Sequence, residues 1–229
     1  MGTLERRKRE KDKRRNRIIG AAEKVLVTKG YQAATMDDVA NEAELGKGTL
    51  YLYFKNKEEL ILALLVRLRM KMIDRFDEAI LEASSGKNLL ERYAAAYCDI
   101  VEEHRDKILL SFRILASGLD LDTTTPTYVL FRETGEWLLR MTVNAIEMGK
   151  LDGSLRRDIF APLAAVHLVS GANGATLMQL GHAEEGGGKV EAGMMQDLTR
   201  SFMHFMINAM GNPDHAPGVD PGGAKGGER

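Results

Sequence analysis

The 229-residue chain reads as all-α, a three-helix N-terminal unit followed by a larger helical body. Three observations carry this expectation. Apolar residues recur three and four apart along nearly the whole length, and no stretch alternates as a strand would. Helix start and stop signals fall at regular points, among them Gly30, Thr35, Asn56 and the pair Thr125-Pro126. Charge is divided between the two parts: residues 1–57 carry 14 Lys/Arg against 8 Asp/Glu, and residues 58–229 carry 18 against 25. A basic front on an acidic body fits a polyanion-binding head better than an enzyme.

In order along the chain, Ile18, Ala21, Ala22, Val25 and Leu26 follow the amphipathic-helix template and predict a first helix that stops at Gly30. Thr35 caps a short second helix, with Asp38 in the capping-box position and Met36, Val39, Ala40 and Ala43 as its apolar face. Gly46 opens a third helix over 47–53. Asn56 and Glu59 repeat the capping arrangement for a long fourth helix, along which Leu60, Leu64, Leu68, Met72 and Phe76 share one side.

"ASSGKN" (83–88) breaks the chain before helices at about 88–103 and 105–118. Thr125 and Pro126 start a helix to about Met148, and "GKLDGS" (149–154) reads as a turn. An uncharged helix follows, with Pro162 in its first turn, ending near 181. "EEGGGK" (184–189) reads as a connection to a last helix at about 190–210, which buries Val190, Met194, Leu198, Phe202, Phe205 and Met206. Three prolines and five glycines in 212–229 predict a disordered tail. The expected divisions are a basic arm (1–13), a three-helix head (14–57), a helical body (58–211) and the tail (212–229).

Two short helices three or four residues apart, behind a supporting helix, have the spacing of a helix-turn-helix. In "KGTLYLYFKNKEEL" (47–60), Leu50 and Phe54 fall on the inner side of the third helix. Lys47, Gly48, Thr49, Leu52 and Tyr53 spread over the rest, with Tyr51 at a flank. A bland surface helix would place Glu, Lys or Gln there. The hydroxyls of Thr49, Tyr51 and Tyr53 can donate to phosphate oxygens, and Lys47 can reach a phosphate or a guanine edge. Gly48 lets the backbone approach closely, and an exposed Leu52 can meet a thymine methyl. Thr35 would add a phosphate contact at the positive end of the second helix. Spacing alone also admits tyrosines that merely pack.

"TMDDVANEAELGKGTLYLYFKNKEEL" (35–60) closely resembles the DNA-binding segment of the tetracycline-repressor (TetR) family of bacterial regulators. The likeness extends back through the first helix, over about residues 14–62. It implies DNA-contact positions at Thr35, Lys47, Thr49, Tyr51, Tyr53, Lys55 and Lys57. It also implies that the body is a ligand-binding and dimerisation domain. Two residues depart from the family pattern. Glu44 stands where glycine is usual, so a positive φ there is expected to be strained. Gly46 replaces the usual Ser or Thr cap, a loss of a few tenths of a kcal/mol.

Nine basic residues from Arg6 to Arg17 face only Glu5, Glu10 and Asp12. They are either a solvated tail or an arm that follows the DNA backbone or enters the minor groove. Trp137, Phe112, Met141 and Met178 read first as core. Under the resemblance, which implies a pocket enclosed by the fourth to eighth helices, they join Met72 as lining, with Arg113 and His167 as polar markers. Nothing identifies the effector beyond a partly apolar character. A homodimer is expected through Ala164, Ala165, Gly171, Ala172 and Gly174, all small enough for close helix approach, and through Leu198, Phe202 and Phe205. It would present two recognition helices about 34–36 Å apart to a near-palindromic duplex.

Other chemistry finds little support. His104, His167, His182, His204 and His215 are scattered, no nucleophile elbow or phosphate-binding glycine loop occurs, and no enzyme, cofactor or metal site is expected. The lone Cys98 fits a reducing cytoplasm as a buried, inert thiol. No apolar run follows the basic start, so no signal peptide is expected. The uncharged stretch 159–183 is long enough for a membrane but is interrupted by His167, Ser170, Asn173 and Gln179, and reads as a buried or dimer-forming helix. The expected function is therefore a repressor released from its operator by a small molecule. The alternative is a DNA-binding architectural protein whose body only dimerises or docks a partner. In the first case "FKNKEEL" matters, because it joins the recognition helix to the fourth helix almost without a loop.

Overall fold

The computed structural model describes residues 2–116, 118, 121–184 and 197–214. Its helices are α1 (Thr3–Ala33), α2 (Met36–Glu42), α3 (Lys47–Tyr51), α4 (Lys57–Leu81), α5 (Gly86–Glu103), α6 (Arg105–Ala116), α7 (Pro126–Asp152), α8 (Ala161–Glu184) and α9 (Leu198–Met210). Among the described residues the only β pairing is an isolated antiparallel bridge between Leu155 and Gly211. The expected connection over 185–189, the predicted start of the last helix with Val190 and Met194, and residues 215–229 lie outside the described residues.

The caps explain most boundaries. Thr35 Oγ1 accepts the Asp38 N–H at 3.1 Å while the Asp38 carboxylate accepts the Thr35 N–H at 3.0 Å, so two orphan donors at the start of α2 are satisfied reciprocally. Asn56 Oδ1 accepts the Glu59 N–H at 2.8 Å at the start of α4, and Glu59 reaches back to the Lys55 N–H rather than to Asn56. Thr125 caps α7 with Pro126 behind it, and Ser85 caps α5. Gly30 has φ 74° and ψ 167°, so the regular run of α1 breaks there, where its stop signal lies.

Two expectations change. Residues 3–13, expected as a separate arm, are helical and continuous with the rest of α1, forming about its first third, since this run rich in Arg, Lys and Glu has good helix propensity and holds no Gly or Pro. The expected turn at 149–154 begins only at Gly153, which takes the left-handed conformation with φ 81°. Gly149 is instead a close-packing residue inside α7. A Cβ on the facing Gly86 would lie 2.0 Å from the Gly149 nitrogen, so only a glycine fits where α5 begins against α7.

Two main cores result. The head core gathers Ile18, Ile19, Ala22 and Leu26 of α1, Val39 and Ala40 of α2, Leu50 and Phe54 around α3, and Leu60 and Ile61 of α4. It also includes Ile114 of α6, with Leu110 and Phe131 packed against it, so packing continues past the expected boundary at 57/58. The body core runs through Met72, Phe76, Leu90, Tyr93, Ile146, Leu155 and Ile207. Phe76 and Tyr93 stack with ring centroids 4.1 Å apart. Cys98 is buried, and burial pushes its thiol pKa up. Among the described residues, no helix is long and apolar enough to cross a membrane.

Candidate functional site

The head presents α3 on two buried anchors. Leu50 and Phe54 are fully buried in the head core, and their hydrophobic burial fixes which face of this five-residue helix remains outside. Lys47, Gly48, Tyr51 and Leu52 are exposed, Leu52 to 82%, and Thr49 and Tyr53 are half-buried. An exposed leucine at the centre of a small polar surface has no packing role in the monomer. The space in front of Gly48 is open, which admits another backbone or a phosphate. Helix α3 ends earlier than its predicted span, with Leu52 and Tyr53 in the turn that follows.

Several of the expected contact groups already have partners. Lys47 Nζ lies 2.8 Å from Asp37 Oδ1, and that hydrogen bond raises its pKa. Thr35 Oγ1 donates to Asp38 Oδ2 at 2.8 Å, and this carboxyl, which also accepts from Lys29, is lowered to about 2 by those hydrogen bonds. Lys57 donates to the carbonyls of Tyr31 at 2.8 Å and Ala34 at 3.1 Å and sits over the Tyr31 ring, so it closes the end of α1 rather than reaching outward. Lys55 is exposed. Glu44 has φ 52°, the left-handed conformation expected at that turn position, and its carboxylate meets Arg17 at 2.7 Å.

The basic half of α1 extends this surface. Arg6, Arg7, Lys11 and Arg14, with Glu10, line a groove beside Tyr53. Arg15 lies 5.1 Å above the Phe54 ring, which ties α1 to the turn after α3. Through Tyr53 and Phe54, the turn after α3 thus meets the basic part of α1.

The body holds a cavity of about 240 Å³ between α4, α5, α6, α7 and α8. Most of its wall is apolar, from Leu65, Leu68, Met72 and Phe76 of α4 to Leu138 of α7 and Leu168 of α8. Tyr97 donates to Asn173 Oδ1 at 3.0 Å, and burial pushes its pKa up to about 12. Among the described residues, Arg69 is the one charged group in the wall. Its guanidinium lies 3.9 Å from the Phe131 ring centroid and donates to the Phe131 carbonyl.

The sequence-nominated pocket residues divide. Met72 and Phe112 line the cavity, and Met141 is buried in the body core beside it. Arg113, Trp137, His167 and Met178 stand on the surface instead, Trp137 at 50% and Met178 at 59% exposure. On α7 and α8 the next residue along turns inward: Leu138 and Leu168 line the cavity, while the outward Trp137 ring is covered by Arg140. Arg69, Tyr93 and Tyr97 went unrecognised in the sequence. Arg69 had a signal, since it falls four residues after Leu65 and three before Met72 on the inner stripe of α4.

The small residues of α8 are also placed differently from the expected dimer face. Ala165 and Ala172 are buried within the chain, and Gly171 admits the Phe202 ring, whose Cζ would lie 2.1 Å from a Cβ there. Ala164, Leu198 and Phe202 are half-buried against their own chain, and Gly174 is exposed. The large apolar groups that α8 and α9 leave outside, among the described residues, are Leu163, Val166, Val169, Leu177, Met178 and Phe205, the last at 69%.

Residues 18–64 match the model of bacterial regulatory proteins of the tetR family. The chain is 30% identical over 105 residues to the fatty acid metabolism regulator protein of Bacillus subtilis, covering 45% of this chain and 54% of that one. It is 30% identical over 143 residues to the B. subtilis HTH-type transcriptional regulator YhgD, covering 62% of this chain and 72% of that one. The chain thus spans about half the length of the first of these relatives. The crystal structure of the regulator FadR from B. subtilis in complex with stearoyl-CoA superposes with a TM-score of 0.65 at 20% identity, over 83% of this chain and 96% of that one, and shares the fold. The recognition helix anchored on Leu50 and Phe54, the family match across it, and the likeness to YhgD over most of that protein's length place this chain in the TetR family of bacterial regulatory proteins.

Proposed function

We propose that this chain is a transcriptional repressor that binds a near-palindromic DNA duplex as a homodimer and is released by a small, partly apolar effector. The outer face of α3 carries the reading: Lys47, Gly48, Tyr51 and the 82% exposed Leu52 have no core to fill and match the donors and apolar contact that a major groove accepts. Thr49 and Tyr53 flank them, and the basic half of α1 supplies phosphate contacts. The exposed apolar stripe of α8 and α9, from Leu163 to Phe205, is the face for the second copy.

The cavity favours an effector-controlled protein over the architectural alternative, because a body needed only for docking would gain stability by filling 240 Å³. The relative named for fatty acid metabolism agrees with an apolar effector. Coupling runs through two structures. Helix α4 begins directly after the recognition segment and lines the cavity further along. Glu23 of α1 pairs with both Arg67 of α4 and Lys107 of α6, which ties head to body. An effector that prefers the DNA-incompetent form 100-fold supplies about 2.7 kcal/mol per site. By reciprocity the operator weakens effector binding by the same factor. The test is a thermal-shift screen of small apolar molecules, followed by titration of each stabilising compound with and without bound duplex. Equal affinities in both titrations would refute the effector reading and leave the architectural one.

A further inference from the structure

We infer that the cavity takes an amphipathic anion, with its acidic head on Arg69 and its apolar tail along Met72, Phe76 and Leu138. This rests on the effector reading above and narrows it to a chemical class. A guanidinium half-buried in a mostly apolar wall is costly unless it is paired. Among the described residues, Arg69 has no carboxylate partner: it meets only the carbonyl and ring of Phe131. Burial alone lowers its pKa, with no neighbouring charge to offset it. Arginine presents five N–H donors in a fork suited to a carboxylate or phosphate, and one carbonyl leaves most of that fork for a ligand.

Helix α7 has made room for this charge. Gly135 lies mid-helix, where glycine costs about 1 kcal/mol relative to alanine. A Cβ there would stand 2.9 Å from Arg69 Nη1 and 3.3 Å from Cζ, so the glycine keeps the guanidinium in its place in the wall. At roughly 30 Å³ for each water-sized group, a cavity of about 240 Å³ admits a ligand portion of about eight heavy atoms. Phe131 gives the head group a route to the DNA-binding unit. Its ring lies under Arg69 and also packs against the head core beside Leu110 and Ile114. An anion that draws Arg69 off the Phe131 carbonyl acts directly on that packing.

The test uses the full chain and saturated acids of six to sixteen carbons, their coenzyme A thioesters, and the alcohols of matching length, measured by calorimetry. The acids or thioesters should bind roughly 10- to 100-fold more tightly than the matching alcohols, the range of a charge-assisted hydrogen bond. Which of the two binds distinguishes a free carboxylate from a phosphate-bearing head. Arg69→Gln should abolish the preference while alcohol affinity stays within about threefold. Gly135→Ala, which keeps the charge and improves the helix, should reduce the preference with an unchanged or higher Tm. Equal binding of acids, thioesters and alcohols, or a preference that survives Arg69→Gln, overturns the inference and leaves the effector reading standing. Binding of none also overturns it, and operator release by some other apolar compound then separates this failure from that of the effector reading.

Discussion

The recognition segment and the cavity are built by opposite means. Helix α3 has five residues and takes its orientation from Leu50 within it and Phe54 just after it, both buried in the head core. The cavity is assembled from α4, α5, α6, α7 and α8, so each side chain in its wall is placed by packing partners tens of residues away. Local spacing can specify a surface to be presented, whereas a space between several helices is a property of how they rotate against one another.

The buried anchors of α3 are the most sensitive positions in the head. Leu50→Ala should cost about 2–5 kcal/mol and unfold the head, as truncation of a fully buried leucine does. Urea denaturation followed by circular dichroism measures it. A loss below about 1 kcal/mol, the ordinary cost of a surface or half-buried change, would mean that α3 is not held by its inner face.

The next effect separates surface from fold within the head. Deleting residues 2–11 removes Arg6, Arg7, Lys8, Arg9 and Lys11; residues 5–11 are exposed, and among the described side chains of α1 the first buried one is Ile18. Stability should change by less than about 0.5 kcal/mol. DNA affinity should fall, and the slope of log affinity against log salt should become shallower by about 0.9 for each phosphate that is no longer neutralised. An unchanged slope would return this half of α1 to a solvated helix.

These two expectations show what was legible. Thr35 with Asp38, Gly30, and Leu50 with Phe54 act through hydrogen bonds or burial set within one or two turns, and each does in the structure what its spacing implies; Asn56 caps α4 as expected, though Glu59 reaches back to Lys55. The positive φ of Glu44 was legible only through the family resemblance, which puts glycine at that turn position. The cavity was not legible in this way. Helix α8 carries no charge between residues 161 and 183, so neither face is marked as outer, and His167 could not be told from Leu168. Trp137, large and apolar, invited an inward placement, yet Leu138 took it. The continuation of α1 through residues 3–13 was obscured because a basic run reads as a tail when nothing apolar marks a face.

A smaller effect sharpens the account of the turn. Glu44→Gly should stabilise the head by about 0.5–1 kcal/mol, since relief of a left-handed non-glycine exceeds the added chain entropy and the loss of an exposed ion pair to Arg17. It should also raise DNA affinity by removing a carboxylate and freeing Arg17. A lower Tm would show that the ion pair dominates. The smallest effect lies in the body. Trp137→Ala should shift stability by only about 0.5 kcal/mol, whereas Ile146→Ala further along the same helix should cost about 2–5 kcal/mol. A large loss at Trp137 would place it against a partner copy and reopen the assignment of the dimer face.

Whether the outer face of α3 reads a duplex is decided by selecting binding sites from a pool of random double-stranded DNA. Wild type and a Thr49→Ala, Leu52→Ala double variant, neither position contributing to the buried core, should be compared at matched salt. Wild type should enrich a near-palindrome with half-sites about one helical turn apart, and the variant should lose preference at defined positions within each half-site. Enrichment of the same sequence by both proteins, with equal strength, would contradict readout by that face.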